Sequence, residues 1–254
     1  MSQTLVAPAD LSLSNLRIPS QASAGQAPSF DANWNFEPFR IRLIFDEKSA
    51  LLTFRMGQFL KRGFDFVLAS LGLLIISPLL VLLALIVRLT SQGPVIYQSL
   101  RIGQDQQPFY MYKFRTMYVG AEQQRAALKK QTGQEGKLFK IVNDPRITPI
   151  GAFLRKYSLD ELPQLLNVVK GDMSLVGPRP LVMDESQHFK DPYTIRFKVA
   201  PGVTGLWQVS GRSNLTFEQL CDLELHYTVN WTLWQDFKIL LKTIPAVLFR
   251  KGAY

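Results

Sequence analysis

The feature that most constrains this fold is an uncharged apolar segment, residues 66–87, with the sequence FVLASLGLLIISPLLVLLALIV. As a straight helix it would extend roughly 33 Å, which is enough to cross a bilayer. Hydropathy alone therefore predicts a transmembrane helix. Ser77-Pro78 lies at its centre, however, and proline removes one helix hydrogen bond and bends the helix. The Ser77 hydroxyl can satisfy the carbonyl that is freed.

Basic residues flank the apolar segment on both sides. Lys61 and Arg62 precede it, and Arg88, Arg101, Lys113 and Arg115 follow it. Because positive residues favour the cytoplasmic side of a membrane, both ends are predicted to be cytoplasmic. A helix that is broken at Ser77-Pro78 and leaves by the face it entered fits this pattern. A proline-kinked helix that spans the membrane is the alternative.

The charge balance indicates an anionic partner. Lys and Arg number 29 against 20 Asp and Glu, giving a net charge of +9. Nucleic acid, an acidic membrane face and phosphates are the candidates. The chain has no GxxxxGK[ST], GxGxxG, DxD or GxSxG motif, and its one cysteine excludes an intrachain disulfide. Residues 1–56 are predicted to be a flexible leader because their first part is polar and rich in Ser, Ala and Pro.

The segment after the apolar run changes in character. Residues 95–102 and 109–117 are rich in β-branched and aromatic residues and flank a polar turn, which predicts a β-hairpin. Residues 119–138 are predicted to form an exposed helix or a mobile loop.

An amphipathic helix is predicted further on, ending at Gly171. Either Ser158, in a capping box with Glu161, or Asp160 can be its N-cap. Asp160 is favoured because Pro163 then falls in the first turn. The predicted apolar face consists of Leu162, Leu165, Leu166 and Val169.

The tail, residues 231–254, is predicted to be a basic amphipathic segment. Lys238 and Lys242 lie opposite an apolar stripe at helical spacing, and Pro245 is expected to bend the helix. The stripe consists of Trp234, Phe237, Leu241, Ile244 and Leu248. Two positions are open for this helix: it lies in a membrane interface, or it packs on the core of the domain.

Asp160-Glu161 is the main candidate for chemistry because of its neighbourhood. Carboxylates bind hard Mg²⁺, and arginine and lysine bind phosphate oxygens, so acids among cations suit a phosphate together with a divalent metal. A helix cap beside a solvated acid is the plain structural alternative. The candidate phosphate-binding residues are Lys113, Arg115, Arg146, Arg155 and Arg179.

Several motifs in order resemble the bacterial sugar transferase family, the monotopic phosphoglycosyl transferases that act on polyprenyl phosphate. They are KRGFDF at 61–66, Ser77-Pro78, KFRTM at 113–117, NDPRITPIGAFLRKYSLDELPQLLNV at 143–168, GDMSLVGPRP at 171–180 and PGVTGLWQVSGR at 201–212. The resemblance covers roughly residues 57–254. Larger relatives carry a multi-helix membrane region before the catalytic part, so the resemblance implies a short form.

The resemblance implies transfer of a sugar-1-phosphate from a UDP-sugar to undecaprenyl phosphate with release of UMP. It implies that Asp160 is the nucleophile, that Glu161 is a metal ligand or assists the second half-reaction, and that Mg²⁺ is the cofactor. Arg155 and Arg179, then Lys113, are the foremost phosphate binders by position. The segment after residue 210 is similar to the hexose-1-phosphate branch that starts exopolysaccharide chains, which favours glucose or galactose over an N-acetylated sugar.

The predicted fold is therefore α+β. A re-entrant helix-break-helix (57–92) precedes a small, mainly helical cytosolic catalytic domain (93–230) with a β-hairpin and amphipathic interfacial helices. The predicted location is the cytoplasmic face of the bacterial inner membrane. A non-enzymatic membrane scaffold and a nucleic-acid-binding protein are the competing classes; the dispersed basic residues disfavour nucleic acid as a partner. No sequence feature sets an oligomeric state.

Overall fold

A computed structural model describes residues 47–124, 144–211 and 215–248, with side chains from residue 56 onward. Residues 1–46 of the predicted leader and most of the polar segment 119–138 lie outside the described residues. Residues 47–56, which the sequence assigned to a flexible leader, are helical instead. The described part mixes helices and short strands and contains one long apolar helix, as the sequence predicts. The predicted boundaries between the four segments of the chain stay predictions.

The long helix α1 (Glu47–Thr90) has 44 residues and contains the whole apolar segment. Among the described residues it is the one helix long and apolar enough to cross a membrane, and 11% of its most apolar window is buried. Its most exposed side chains, at 72% to 83%, are Phe59, Leu74, Ile75 and Leu89. So large an exposed apolar surface is typical of a segment that lipid or another protein covers.

Pro78 lies inside α1 and does not end it. The Ser77 hydroxyl donates a 2.8 Å hydrogen bond to the carbonyl of Leu74, the acceptor that the missing N–H at position 78 would have used. This predicted compensation is confirmed. Two separate helices are not seen, since helical structure continues to Thr90. The path of α1 relative to a membrane stays a prediction.

The predicted β-hairpin is confirmed. Strands β1 (Ile96–Ile102) and β2 (Pro108–Phe114) pair in antiparallel fashion around a 3₁₀ turn at Gln104–Gln106. Side chains alternate between the faces of a strand, so this register places Arg101 and Lys113 on the same face of the hairpin.

The next helix, α2 (Pro149–Lys156), was not predicted. Its start carries a usual signal, because the Thr148 hydroxyl accepts a 2.9 Å hydrogen bond from the Gly151 N–H and proline follows directly. A Cβ at position 151 would lie 2.1 Å from the carbonyl oxygen of Thr116. Glycine therefore lets this helix lie against the end of the hairpin.

Helix α3 (Gln164–Lys170) begins later than predicted, so the assignment of Asp160 as its N-cap is wrong. Pro163 takes the N-cap position, and a 3₁₀ turn, Leu159–Glu161, precedes it. Proline has no N–H to donate and is accommodated ahead of the first helical turn. Ser158 has a left-handed φ of 56° and no capping hydrogen bond, so the alternative capping box is not formed either.

The predicted apolar face of α3 is only partly buried, although three of its residues, Leu162, Leu165 and Val169, pack against the core. Leu166 is 44% exposed, and its three partners in the stripe are half-buried. Asn167 is instead fully buried, because its side-chain amide donates to the Tyr110 carbonyl (2.7 Å) and accepts from the Tyr112 N–H (3.0 Å). The helix therefore packs on β2 through a polar residue. It ends at Gly171, with a φ of 99°, as predicted.

The rest of the domain is built from short elements. Strands β3 (Ser174–Val176) and β4 (Gly202–Thr204) pair in parallel. A Cβ on Gly202 would lie 2.0 Å from the backbone nitrogen of Gly177, so these loops approach closely only with glycine. The helices here are α4 (Met183–Ser186), α5 (Leu206–Ser210) and α6 (Phe217–Val229).

The last helix, α7 (Leu233–Leu248), packs on the domain through Asp236 and Ile239, which are 3% and 0% exposed. The predicted stripe faces away from the core. Trp234, Phe237, Leu241 and Ile244 are 63%, 43%, 52% and 60% exposed. The helix thus packs on the domain, as one of the two alternatives has it, but through residues other than the stripe, and contact of the stripe with a membrane interface stays a prediction. Helical structure continues past Pro245.

Polar side chains of α1, just before the apolar segment, attach this helix to the domain. Lys61 is buried and lies 2.5 Å from Asp236 of α7. Asp65 accepts hydrogen bonds from the Ser174 hydroxyl (2.7 Å) and the Leu175 N–H (3.2 Å) of β3. These contacts make the first part of α1 a structural member of the domain.

Arg62 makes a further attachment at the end of α3. Its guanidinium donates to the carbonyl of Val168 and, at 2.7 Å, to that of Val169. These carbonyls lie in the last turn of the helix, where they lack helical partners and where a cation is favoured by the helix dipole. Arg62 thus caps the helix that follows the Asp160-Glu161 turn.

Candidate active site

Asp160 and Glu161 lie in the 3₁₀ turn between α2 and α3. The left-handed backbone of Ser158 opens this turn, and Pro163 closes it by starting the next helix. Asp160 is 7% exposed, whereas the side chain of Glu161 is 38% exposed. The two adjacent carboxylates therefore have unequal environments.

Lys113 is the cation in direct contact with this pair. Its ammonium nitrogen, carried by β2, lies 2.5 Å from Oε1 of Glu161. The hairpin thus brings Lys113 to the dyad, while the predicted role of this residue in phosphate binding stays a prediction. This ion pair is short and charge-assisted. Asp160, the other carboxylate of the dyad, has no such ion pair among the described residues.

The two carboxylates titrate differently. Burial raises the pKa of Asp160 to about 6, and the adjacent charge of Glu161 raises it too, while Lys113 and Arg155 lower it. Burial would also raise the pKa of Glu161, but Lys113, Arg179 and Arg101 together lower it. Glu161 is thus the firmly ionised member of the pair, and Asp160 is the more basic carboxylate.

Arg155 lies on the Asp160 side of the dyad. It is carried by α2, and its Nε donates a 2.8 Å hydrogen bond to the Thr116 hydroxyl. Burial lowers the pKa of this guanidinium, and the charge of Asp160 raises it. The Thr116 carbonyl accepts a 3.0 Å hydrogen bond from the Thr148 N–H. The end of the hairpin therefore fixes both the start of α2 and the position of Arg155.

Arg179 lies on the Glu161 side. Its guanidinium carbon is 5.5 Å from the ring centre of Trp207 in α5, and its Nε is buried without a hydrogen-bond partner. The backbone holds the position, because the Arg179 N–H donates to Glu224 (2.8 Å) and its carbonyl accepts from Arg196 (2.6 Å). A buried donor of this kind is available for an anionic ligand after a small movement.

Two of the five predicted phosphate binders are engaged elsewhere. Arg115 donates to the carbonyls of Pro94 and Ser91 (2.7 Å for the latter) and so closes the end of α1. Arg146 forms a buried pair with Asp144 (2.6 Å) and donates to the Ala121 carbonyl (3.1 Å). The structure brings Lys113, Arg155 and Arg179 to the dyad, but the described contacts of these two arginines lie in the scaffold.

Sequence reasoning missed Arg101 and Asn167 as residues of this region. Arg101 shares a hairpin face with Lys113, and period-2 alternation along β1 could have found it once the register was known. Asn167 bonds the dyad's helix to β2, but an amide within an apolar helical pattern gives no signal of that role.

The donor atoms of the dyad suit a magnesium ion that arrives with its substrate. In the described parts of the chain, no group of three or more His, Cys, Asp or Glu side chains could hold a metal by itself. Magnesium usually keeps several waters and binds one or two carboxylates plus substrate phosphates. Asp160 and Glu161 supply such carboxylates, so the site fits Mg²⁺ shared with a diphosphate.

Comparison with known proteins places these elements in one family. The family model described as bacterial sugar transferase matches residues 56–250. An undecaprenyl-phosphate galactose phosphotransferase of Salmonella typhimurium is 46% identical over 207 residues, which are 79% of this chain and 43% of that protein. The exopolysaccharide production protein ExoY of Rhizobium meliloti is 41% identical over 203 residues, covering 78% of this chain and 90% of ExoY.

A UDP-glucose:undecaprenyl-phosphate glucose-1-phosphate transferase of Escherichia coli is 40% identical over 207 residues, which are 78% of this chain and 42% of that protein. The chain thus spans less than half the length of the Salmonella and Escherichia relatives and most of the length of ExoY. The matched residues include the apolar part of α1, the hairpin, the dyad and α7. The chain belongs to the bacterial sugar transferase family.

Proposed function

We propose that this protein transfers a sugar-1-phosphate from a UDP-sugar to undecaprenyl phosphate and releases UMP. The sugar is glucose or galactose, in agreement with the names of the Salmonella and Escherichia relatives, and the product starts an exopolysaccharide or related glycan. The observation that carries the proposal is the dyad itself: a buried, basic Asp160 beside an ionised Glu161, among three cations and next to an exposed apolar helix.

The first half-reaction uses Asp160 as the nucleophile. One of its carboxylate oxygens attacks the phosphorus that bears the sugar, and the bond from this phosphorus to the bridging oxygen breaks. The electron pair leaves with the bridging oxygen as part of UMP. A phosphosugar-aspartyl intermediate results, so one difficult displacement is divided into two easier ones.

The second half-reaction regenerates the enzyme. An oxygen of the lipid phosphate attacks the same phosphorus, and the bond to Asp160 breaks with its electron pair returning to the carboxylate. Lys113, Arg155 and Arg179 neutralise charge on the transferred group, since phosphoryl transfer depends mainly on positioning and electrostatic stabilisation. Bound Mg²⁺ would add positive charge at the phosphate oxygens.

The exposed apolar surfaces support action at a membrane, which we place at the cytoplasmic face of the bacterial inner membrane. Helix α1 exposes its apolar side chains. Helix α7 exposes Trp234 and Phe237, and the Lys238 ammonium lies beside the tryptophan ring. Helix α7 thus has the character of an interfacial helix. A soluble donor and a lipid acceptor can then meet at the dyad.

A re-entrant path for α1 follows from the basic residues at both of its ends and from Ser77-Pro78 at its centre. Tags placed before residue 57 and after residue 254 are both expected to be inaccessible from outside intact cells. The control is a periplasmic protein with the same tag, which must be labelled. Labelling of one end of this chain from the periplasm shows a spanning helix instead.

The direct test is the intact mass of the protein after incubation with Mg²⁺ and one UDP-sugar, without lipid acceptor. Wild type is expected to gain the mass of one hexose phosphate with UDP-glucose or UDP-galactose, and Asp160→Asn to gain nothing. The matched control is Asp184→Asn, which removes an exposed carboxylate of α4, outside the dyad, and is expected to behave like wild type.

UMP is measured in the same tubes, with and without undecaprenyl phosphate. An adduct only with an N-acetylated UDP-sugar would show the same chemistry with another sugar. Absence of both adduct and UMP with every donor, with lipid phosphate present, rejects the enzymatic proposal and favours a membrane scaffold.

A further inference from the structure

Arg101 reaches toward the dyad from the hairpin. It shares a face with Lys113, whose ammonium contacts Glu161, and Ser99 lies between them on this face. The Arg101 Nε donates a 3.1 Å hydrogen bond to the Ser99 hydroxyl. This bond ties the Arg101 side chain to the face of the hairpin that also carries the lysine.

The segment that carries Arg179 is joined to the same strand. The Ile102 N–H donates a 2.8 Å hydrogen bond to the Leu181 carbonyl, and a guanidinium nitrogen of Arg101 lies 3.4 Å from the Pro180 carbonyl. The two arginines therefore come from adjacent backbones, on either side of one interstrand contact. Both their charges lower the pKa of Glu161.

We propose that Arg101 and Arg179 together bind the diphosphate of the nucleotide-sugar donor on the Glu161 side of the dyad. The assignment rests on the proposed function and adds a residue, Arg101, and a substrate to it. Paired guanidinium groups are suited to phosphate oxygens because each offers several N–H donors in a fixed plane. As the bond to the bridging oxygen breaks, the two cations face the negative charge that grows on departing UMP.

Arg155 is set apart from this pair. Its helix, α2, buries Leu154 in a cluster with Leu83 and Val87 of α1, on the side of the apolar helix. Arg179 instead lies against Trp207 of α5. Arg155 thus lies on the side of the dyad nearest α1. Arg101 and Arg179 lie on the opposite side, which we assign to the water-soluble donor.

The kinetic test separates the two half-reactions. With a covalent intermediate, kcat/KM for the UDP-sugar reports the first half-reaction, and kcat/KM for undecaprenyl phosphate reports the second. Arg101→Gln is expected to lower kcat/KM for the donor at least tenfold and to leave kcat/KM for the lipid within twofold of wild type. Arg101→Lys keeps the charge without the planar fork and should recover part of the loss.

Lys198→Gln is the matched control, since it removes one positive charge from an exposed side chain. Equal losses in both kcat/KM values, or a donor value for Arg101→Gln within twofold of the control, overturn the assignment. Thermal unfolding of each variant identifies a folding defect, and then Arg101→Lys carries the test.

Binding of UMP by equilibrium dialysis keeps the test independent of turnover. Wild type and Lys198→Gln are expected to bind UMP alike, and Arg101→Gln at least tenfold more weakly. If wild type releases no UMP from any UDP-sugar, the proposed function fails, and the UMP affinities still decide whether Arg101 is part of a nucleotide-phosphate site. Equal affinities in all three proteins reject that site.

Discussion

Arg146 and Arg155 lie on either side of the start of α2, and they differ in what their guanidinium groups face. Arg146 is held by Asp144 and the Ala121 carbonyl, and its side chain is 6% exposed. Within the described residues, Arg155 makes one hydrogen bond, to the Thr116 hydroxyl, and faces Asp160. Both residues are arginines of the same motif, so their partners alone distinguish the one held in the scaffold from the one that faces the dyad.

The largest effect is expected from Arg155→Gln. Loss of this cation should lower kcat for transfer about 100-fold, as for other groups that stabilise charge in a transition state. The Tm should fall by no more than about 4 °C, because a single side-chain hydrogen bond of about 1 kcal/mol is lost. Turnover is followed by UMP release, and Arg155→Lys serves as the charge-preserving control. A large drop in Tm with normal turnover would contradict this prediction and show that Arg155, like Arg146, supports the fold.

Arg146→Gln should lower the Tm strongly and change turnover little, the reverse of Arg155→Gln. Removing one partner of a buried ion pair leaves Asp144 charged and poorly compensated, which costs about 3 kcal/mol. For a domain of this size the Tm should fall by about 6–12 °C. Turnover per folded molecule should change less than about threefold, measured below the transition. A loss of turnover at unchanged Tm would contradict the structural role.

The smallest effect concerns pH. The hydrogen bond from Arg146, followed by its charge, lowers the pKa of Asp144 in the folded protein. A carboxyl with a lowered folded-state pKa stabilises above its ordinary value of about 3.9 and loses that contribution as pH falls through the folded value. Asp144→Asn should therefore lower the Tm by some degrees at pH 7, and by progressively less toward pH 3. A constant difference across this range excludes the ion pair as its source.

The sequence was sufficient for features whose cause is local. The β-branched runs around GQDQQP form the hairpin, Ser77 bonds the carbonyl left by Pro78, and Gly171 ends α3. Family position indicated Lys113 and Arg155 as phosphate binders; the structure places both beside the dyad, and the binding role stays a prediction.

Features that depend on distant partners were missed. Periodicity indicated the apolar face of α3 but not its fully buried residue, Asn167, whose amide bonds two backbone groups of β2. Lys61 and Asp236 are 175 positions apart, so nothing local indicated their contact. Arg115 and Arg146 carry the same charge as the site cations, and only their neighbours distinguish them.

The cap that Arg62 places on α3 has a consequence for where the reaction occurs. Helix α3 has seven residues and so extends about 10 Å between this cap and the turn that carries Asp160. With α1 seated in the bilayer as proposed, α3 holds the Asp160-Glu161 turn at a set distance from α1. The distance between the dyad and the membrane-attached helix is then a property of the polypeptide, and the proposed lipid phosphate must come to the dyad at that distance to be used.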